Sequence, residues 1–289
     1  PQDAQIFEEE LTWLLINQHG AFNSPVWFNC GLWHHRKVNE GGESGYHYDR
    51  ATGQARRAPG PYHYPQCSAC FIIDIKDDME SILEHAVKEG RLFKFGSGTG
   101  TNFSSLRSSR EGVSGGGRAS GPLSFMRIFD SVAGAIKSGG KTRRAAKMDI
   151  LNVNHPDIRD FIWAKKRQED IGRLLTQKHG FESTMDGYIY NETLRYQNSN
   201  QSVRVTKEFM EAVLDDGEFW TRYVQSGDLC EKFHARDLMR QMAESAWDNA
   251  EPGVQYDDLA NEWNTCKNAG RINASNPCSE YFFLDNTAC

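Results

Sequence analysis

AKMDILNVNHPDIRDFIWAKK, residues 146–166, decides the fold. AKMDILNV (146–153) reads as a buried strand, and HPDIRDFIWAKK (155–166) switches to helical spacing. The same switch recurs on both sides. Upstream, CSACFIIDI (67–75) reads as a buried strand. Asp77 and Asp78 then cap a helix expected to run to about Phe93, with Met79, Ile82, Leu83 and Val87 facing inward. A glycine- and serine-rich tract covers 95–120, and PLSFMRIFDSVAGAIK (122–137) is helical. Downstream, QSVRVT (201–206) is a strand, while KEFMEAVLDD (207–216) and ARDLMRQMAESAWDNA (235–250) are helices. Strands alternating with helices imply an α/β chain with a largely parallel sheet or barrel. Such sheets carry their sites in the loops after the strand C-terminal ends.

The flanking regions are less regular. Residues 3–19 read as a helix with Phe7, Leu11, Leu14 and Leu15 on one face, broken by Asn23-Ser24-Pro25. VWFNCGLW (26–33) is a short apolar run. Residues 34–65 and 167–199 have no period and read as a long loop and an irregular polar stretch. The four histidines of the first (His34, His35, His47, His63) lack regular ligand spacing, so no metal site is expected.

The 289 residues carry a formal charge of -6, which argues against a nucleic-acid surface. No apolar run approaches a membrane span, and PQDAQIFEEE is no signal peptide. Seven scattered cysteines do not form a secreted disulfide framework, which points to a cytoplasmic protein. The sequence starts without Met and stops after NTAC, so a truncated chain is expected.

Four motifs bear on chemistry. CSAC (67–70) fits C-x-x-C but lacks a second ligand pair for zinc. It also runs into a strand rather than opening a redox helix. SGGKT (138–142) resembles the end of a P-loop, but Ala135 stands where the first glycine is needed and no strand precedes it. What is left there is a flexible basic loop (Lys137, Lys141, Arg143, Arg144, Lys147) suited to phosphate. FGSGTGTNFSS (95–105) lets backbone approach a ligand closely. NPCSE (276–280) is the sharpest: Pro277 disfavours helix, and extended backbone would point Asn276, Cys278 and Glu280 the same way. An amide, a thiol and a carboxylate on one side suit hydroxyl binding, nucleophilic or redox chemistry, and general-base work.

These stretches, together with NSPVWFNCG, QCSACFI, FGSGTGTNFSSLRS, SGGKTRRAAKMDILNVNHPDI, NQSVRVT and above all GRINASNPCSEYFFLDNTAC, resemble the adenosylcobalamin-dependent (class II) ribonucleotide reductases over essentially the whole chain. The resemblance implies the first half of a ten-stranded α/β barrel with a radical-cysteine finger loop. Residues 1–64 would form an N-terminal helix and connecting loop, and 65–289 the first half-barrel and the start of the finger-loop region. It implies a ribonucleoside-diphosphate reductase that makes 2′-deoxyribonucleotides with adenosylcobalamin as cofactor. Cys278 matches the thiyl cysteine, Glu280 the base for the 3′-hydroxyl, and Asn276 the amide that binds the ribose hydroxyls. Cys70 and Cys289 match the reducing pair. Substrate contacts carry over to Ser24, Ala69, Cys70, Gly98, Asn276, Pro277, Cys278, Ser279 and Glu280. A deoxynucleotide effector would meet Asp77, Arg107, Lys141, Arg143 and Arg144.

The resemblance further implies a thioredoxin-type reductant and a homodimer in the full-length enzyme. The family's second half-barrel, with its phosphate loop and C-terminal cysteine pair, lies beyond this sequence, so the chain alone is expected not to complete turnover. Two other readings stand beside this one: a metal-radical (class I) large subunit, and an inactive nucleotide-binding fragment.

Overall fold

Residues 2–40, 44–136, 145–182, 184 and 187–289 are described by a computed structural model. They fall into two units, Pro1–Ala69 and Cys70–Cys289. The first holds α1 (Gln2–Ile16), α2 (Ser24–Asn29), α3 (Leu32–Arg36) and an antiparallel hairpin of β1 (Tyr46–Asp49) and β2 (Gln54–Arg57). α1 already stops at Ile16, and Asn23 instead opens α2. Its side chain accepts from Val26 N and caps α2, and Pro25 sits in the first turn. The hairpin corrects the reading of 34–65 as a loop. The Asp49 carboxylate accepts from Ala51 N and Thr52 Oγ1, and Gly53 takes φ +66, a local turn that needs no apolar period. On the apolar face of α1, Phe7 and Leu14 are exposed while Leu11 and Leu15 are half-buried.

The second unit runs β3 (Cys70–Ile72), α4 (Met79–Lys94), β4 (Gly98–Asn102), α5 (Pro122–Ala135), β5 (Lys147–Asn152), α6 (Ile158–Ile162), α7 (Ala164–His179), β6 (Ser199–Val205), α8 (Lys207–Leu214), β7 (Glu218–Arg222), β8 (Leu229–His234), α9 (Ala235–Asn249), β9 (Gly253–Tyr256), α10 (Asp257–Glu262), β10 (Ala274–Ser275), β11 (Phe282–Phe283) and β12 (Thr287–Ala288). The sheet order is β12-β3-β4-β5-β6-β9, parallel throughout except for the antiparallel edge strand β12. Parallel strands laid down in sequential order with right-handed crossovers send their helices to one face. The other face is left for a different partner.

Strand alternation divides the two faces cleanly. On β5, Leu151 joins the large core with Ile82 of α4, Phe129 of α5, Phe161 of α6 and Leu238 of α9. Met148 and Ile150 point the other way, packing with Ile72, Ala274, Tyr281 and Phe283. That second cluster is the floor beneath a short hairpin formed by β10 and β11, in register Ala274↔Phe283 and Ser275↔Phe282.

Three sequence expectations fail here for physical reasons. On α4 only Ile82 of the four proposed residues is buried; Met79, Leu83 and Val87 are exposed. The stripe facing the sheet is Ile82, His85, Glu89 and Phe93, because the helix side of β4 and β5 is polar. Lys147 belongs there too and not to a solvated loop. It is fully buried, paired with Glu89 and 3.5 Å from Asp149. Thr99 Oγ1 donates to Glu89 at 2.8 Å. Much of the supposedly irregular 167–199 continues α7 to His179, held by Arg173–Asp248 and Lys166–Asp248 pairs at 3.0 and 3.2 Å. The P-loop-like SGGKT, with Lys137, Lys141, Arg143 and Arg144, lies outside the described residues.

Candidate active site

The hairpin of β10 and β11 crosses the sheet where side chains have been removed. A methyl carbon on Gly100 would lie 1.7 Å from Ser275 O, and one on Gly98 would lie 2.8 Å from Pro277 Cγ and 3.4 Å from Cys70 Sγ. Gly98 and Gly100 point to the same face of β4, so two glycines open one slot. Neighbouring strands hold the hairpin by polar groups on that face. Asn102 Nδ2 donates to Asn273 O at 2.9 Å, and Asn200 Nδ2 to Pro277 O at 2.9 Å. Gln255 Nε2 donates to Ser275 Oγ at 2.8 Å. The buried Arg204 reaches Ile272 O at 2.7 Å and Asp257 at 2.5 Å. Asn200, Arg204 and Gln255 were not singled out in the sequence. For Asn200 and Arg204 the signal is the polar content of SNQSVRV (199–205), a run too polar for a strand buried on two apolar faces; Gln255, on β9, lies outside it.

At the tip the backbone turns instead of running extended. Ser279 N donates to Asn276 O at 3.1 Å, and Ser279 adopts φ +59. A left-handed serine costs about 1–2 kcal/mol, which the surrounding hydrogen bonds must offset. The expectation that Asn276, Cys278 and Glu280 share one side through extended alternation therefore fails. Asn276 and Pro277 are buried, whereas Cys278 and Glu280 are exposed. Asn276 Oδ1 accepts from Tyr281 N at 3.0 Å, but its Nδ2 is buried without a protein partner. An amide donor in that state calls for an acceptor from elsewhere.

Strand register brings two of the three cysteines of interest, Cys70 and Cys289, together. Cys70 pairs with Gly98 across β3 and β4. On the other edge of β3, Ala288 pairs with Phe71, which brings Cys289 opposite Cys70. Cys289 N donates to Cys70 O at 3.0 Å, and Cys70 N donates to Cys289 Sγ at 3.2 Å. No disulfide joins them, and Cys70 is fully buried. The space that a side chain on Gly98 would fill is bordered by Cys70 Sγ and by the ring of Pro277, the residue before Cys278. Ser24 is exposed at the start of α2 and Ala69 is buried at the end of the first unit.

Asp77 and Arg107, the two described residues expected to meet an effector, pair with each other. Arg107 Nε donates to Asp77 Oδ2 at 2.7 Å and Arg107 N to Oδ1 at 3.1 Å. Gln225 adds a 3.3 Å bond to the same carboxylate. Lys141, Arg143 and Arg144 lie outside the described residues. No described helix is long and apolar enough to cross a membrane.

Comparison with known proteins agrees with this architecture. Residues 68–289 match the family "Ribonucleotide reductase, barrel domain". A vitamin B12-dependent ribonucleotide reductase from Rhodopirellula baltica is 52% identical over the whole chain, which covers 28% of that protein. One from Streptomyces coelicolor is 49% identical, with 27% of its length covered. A vitamin B12-dependent ribonucleoside-diphosphate reductase from Thermoplasma acidophilum is 35% identical over 78% of the chain, which covers 26% of that protein. The solved alpha subunit of a class Id ribonucleotide reductase from Actinobacillus ureae superposes with a TM-score of 0.56 over 92% of this chain and 36% of that one, at 16% identity, a likeness of fold. The mixed α/β unit with its clasped cysteine hairpin is the first half of that barrel, and the chain, spanning about 28% of the first of these relatives, belongs to the ribonucleotide reductase family.

Proposed function

We propose that this chain carries the radical cysteine and the reducing cysteine pair of an adenosylcobalamin-dependent ribonucleotide reductase. One observation carries the reading: Cys289 lies opposite Cys70 in the sheet, and the space beside Gly98 is bordered by Cys70 and by Pro277, the residue before Cys278. In the overall reaction a ribonucleotide and a dithiol give a 2′-deoxyribonucleotide, a disulfide and water. When bound, adenosylcobalamin supplies the hydrogen-atom acceptor that no side chain supplies. The residues present fit such a group at the receiving end, because Cys278 is exposed on its turn. Cys278 gives up its hydrogen atom and, as a thiyl, takes the ribose 3′-hydrogen. Glu280 accepts the 3′-hydroxyl proton as general base. Asn276 Nδ2, buried and unpartnered, donates to a ribose hydroxyl. Cys70 and Cys289 then deliver two electrons and close a disulfide.

Ser24, Ala69, Gly98, Pro277 and Ser279 complete the substrate contacts in this reading. The names of the B12-dependent relatives, at 49–52% identity, favour cobalamin over a metal-radical partner subunit. The Thermoplasma name favours a diphosphate substrate. Asp77 and Arg107, already paired, would hold a deoxynucleotide effector with Lys141, Arg143 and Arg144. A thioredoxin-type reductant, a homodimer and a cytoplasmic location complete the proposal, with 65–289 as the half-barrel and 1–64 as its N-terminal extension.

The test is tritium release from 3′-labelled ribonucleoside diphosphate, using this chain grafted in place of the matching segment of the Rhodopirellula relative. Release that needs adenosylcobalamin and disappears with Cys278→Ser is expected. Release that survives Cys278→Ser, or none from a graft that still binds nucleotide, would refute the radical assignment.

A further inference from the structure

A second pair of thiols lies in the first unit, outside the site just described. Cys30 ends α2 and Cys67 precedes β3, 37 residues apart in sequence, yet their sulfurs are 3.5 Å apart. The approach is built rather than incidental. Cys30 N donates to Val26 O at 3.0 Å, which closes the last turn of α2. Asn29 Nδ2 donates to Gln66 O at 3.0 Å, tying the residue before each cysteine to its counterpart. Cys67 Sγ also donates to Pro65 O at 3.3 Å. The two sulfurs differ in access: Cys30 is exposed and Cys67 half-buried.

We propose that Cys30 and Cys67 are an oxidisable dithiol, converted to an intramolecular disulfide by small disulfides such as oxidised glutathione. Cys30 is the sulfur such a reagent reaches. Burial and the neighbouring Cys30 sulfur push the Cys67 thiol up to about 11, so Cys67 does not start the exchange. The Cys30 thiolate attacks one sulfur of oxidised glutathione and releases one glutathione thiolate. Cys67 then loses its proton to solvent and attacks the Cys30 sulfur of the mixed disulfide, releasing the second glutathione. The protein loses two electrons and two protons, and one glutathione disulfide becomes two glutathiones. The product closes the 31–66 segment, with its β-hairpin, into a covalent loop that ends three residues before Cys70. In a reducing compartment such a bond is transient, which suits an oxidant-sensitive modification more than a permanent staple.

The experiment treats the reduced 289-residue chain with oxidised glutathione, in a Cys70→Ser background that keeps the other pair out of the exchange. Remaining thiols are alkylated and the peptides mapped by mass spectrometry. A cross-link joining the Cys30 and Cys67 peptides is expected, reversed by excess glutathione. Adding Cys67→Ser should stop the reaction at a glutathione adduct on Cys30. The proposal falls if both cysteines stay alkylated while the exposed Cys266 is modified. It also falls if Cys67 cross-links to Cys289 instead, or if cross-links scatter over unrelated pairs.

Discussion

Gly100 has no room for a β-carbon, since Ser275 O occupies the place where one would sit. Gly100→Ala must therefore lift the hairpin or bend β4, and either distorts a packed interior. The expected cost is about 1–3 kcal/mol in urea unfolding. Faster amide exchange at Asn276 and Tyr281, whose bonds close the hairpin, should accompany it. Unchanged exchange at those two amides would mean the slot is not what positions the turn. The need for close approach at FGSGTG was legible in the sequence, because only glycine leaves that space. What approaches was not legible, since it arrives from the far end of the chain. The same limit explains NPCSE. Proline rules out helix before Cys278, but a serine at φ +59 answers to hydrogen bonds that only the folded hairpin supplies.

The strands that carry this hairpin are rich in glycine and polar residues. β4 reads GTGTN and β6 reads SNQSVRV. Each serves two unlike faces: threonines toward Glu89 and His85 with glycines toward the hairpin on β4, and Val203 and Val205 toward the helices with Asn200 and Arg204 toward the hairpin on β6. Asn200 allows a test at this level. Asn200→Ala removes the bond to Pro277 O and should cost about 1 kcal/mol. The loss should be local, with faster hydrogen exchange in a peptide spanning 273–284 and no change in α9. A uniform rise across the unit would make Asn200 an ordinary strand residue. β3, β5 and β6 and the helices after them were legible because the period switches there from strand to helix, whereas β4 lies in the glycine tract and β7, β8 and β9 were not read as strands. The buried face of α4 was not, because hydrophobicity favoured Met79, Leu83 and Val87 while the sheet offered charge to His85 and Glu89. The β1–β2 hairpin escaped for the opposite reason: a side-chain turn at Asp49 needs no apolar pattern.

Across the whole molecule, the consequence of that buried charge is a pH profile. Lys147, the first residue of β5, lies between Glu89 and Asp149, all three fully buried. Burial works against ionised Glu89, but Lys147 and His85 outweigh it and hold the carboxyl down at about 2. Its stabilising contribution is present above the ordinary value near 4.5 and is lost as pH falls from there toward 2. Asp149 behaves oppositely: desolvation, only partly offset by Lys147, pushes it up to about 6, and neither oxygen has a protein hydrogen bond. The native state binds its proton more tightly, so stability falls as pH rises from about 4 through 6 and is flat above, by roughly 3 kcal/mol. Two substitutions should separate these slopes in urea midpoints measured from pH 3 to 8. Glu89→Gln leaves Lys147 with one carboxylate and should cost about 3–5 kcal/mol at pH 7 while removing the rise between pH 3 and 4.5. Asp149→Asn should instead reduce the decline between pH 4 and 6, to which buried Asp130 and half-buried Glu251 and Asp285, also pushed up by desolvation, still contribute, and leave the Glu89 rise in place. If Asp149→Asn and the unsubstituted chain decline in parallel through pH 6, Asp149 is ionised throughout that range and the lysine serves both carboxylates equally.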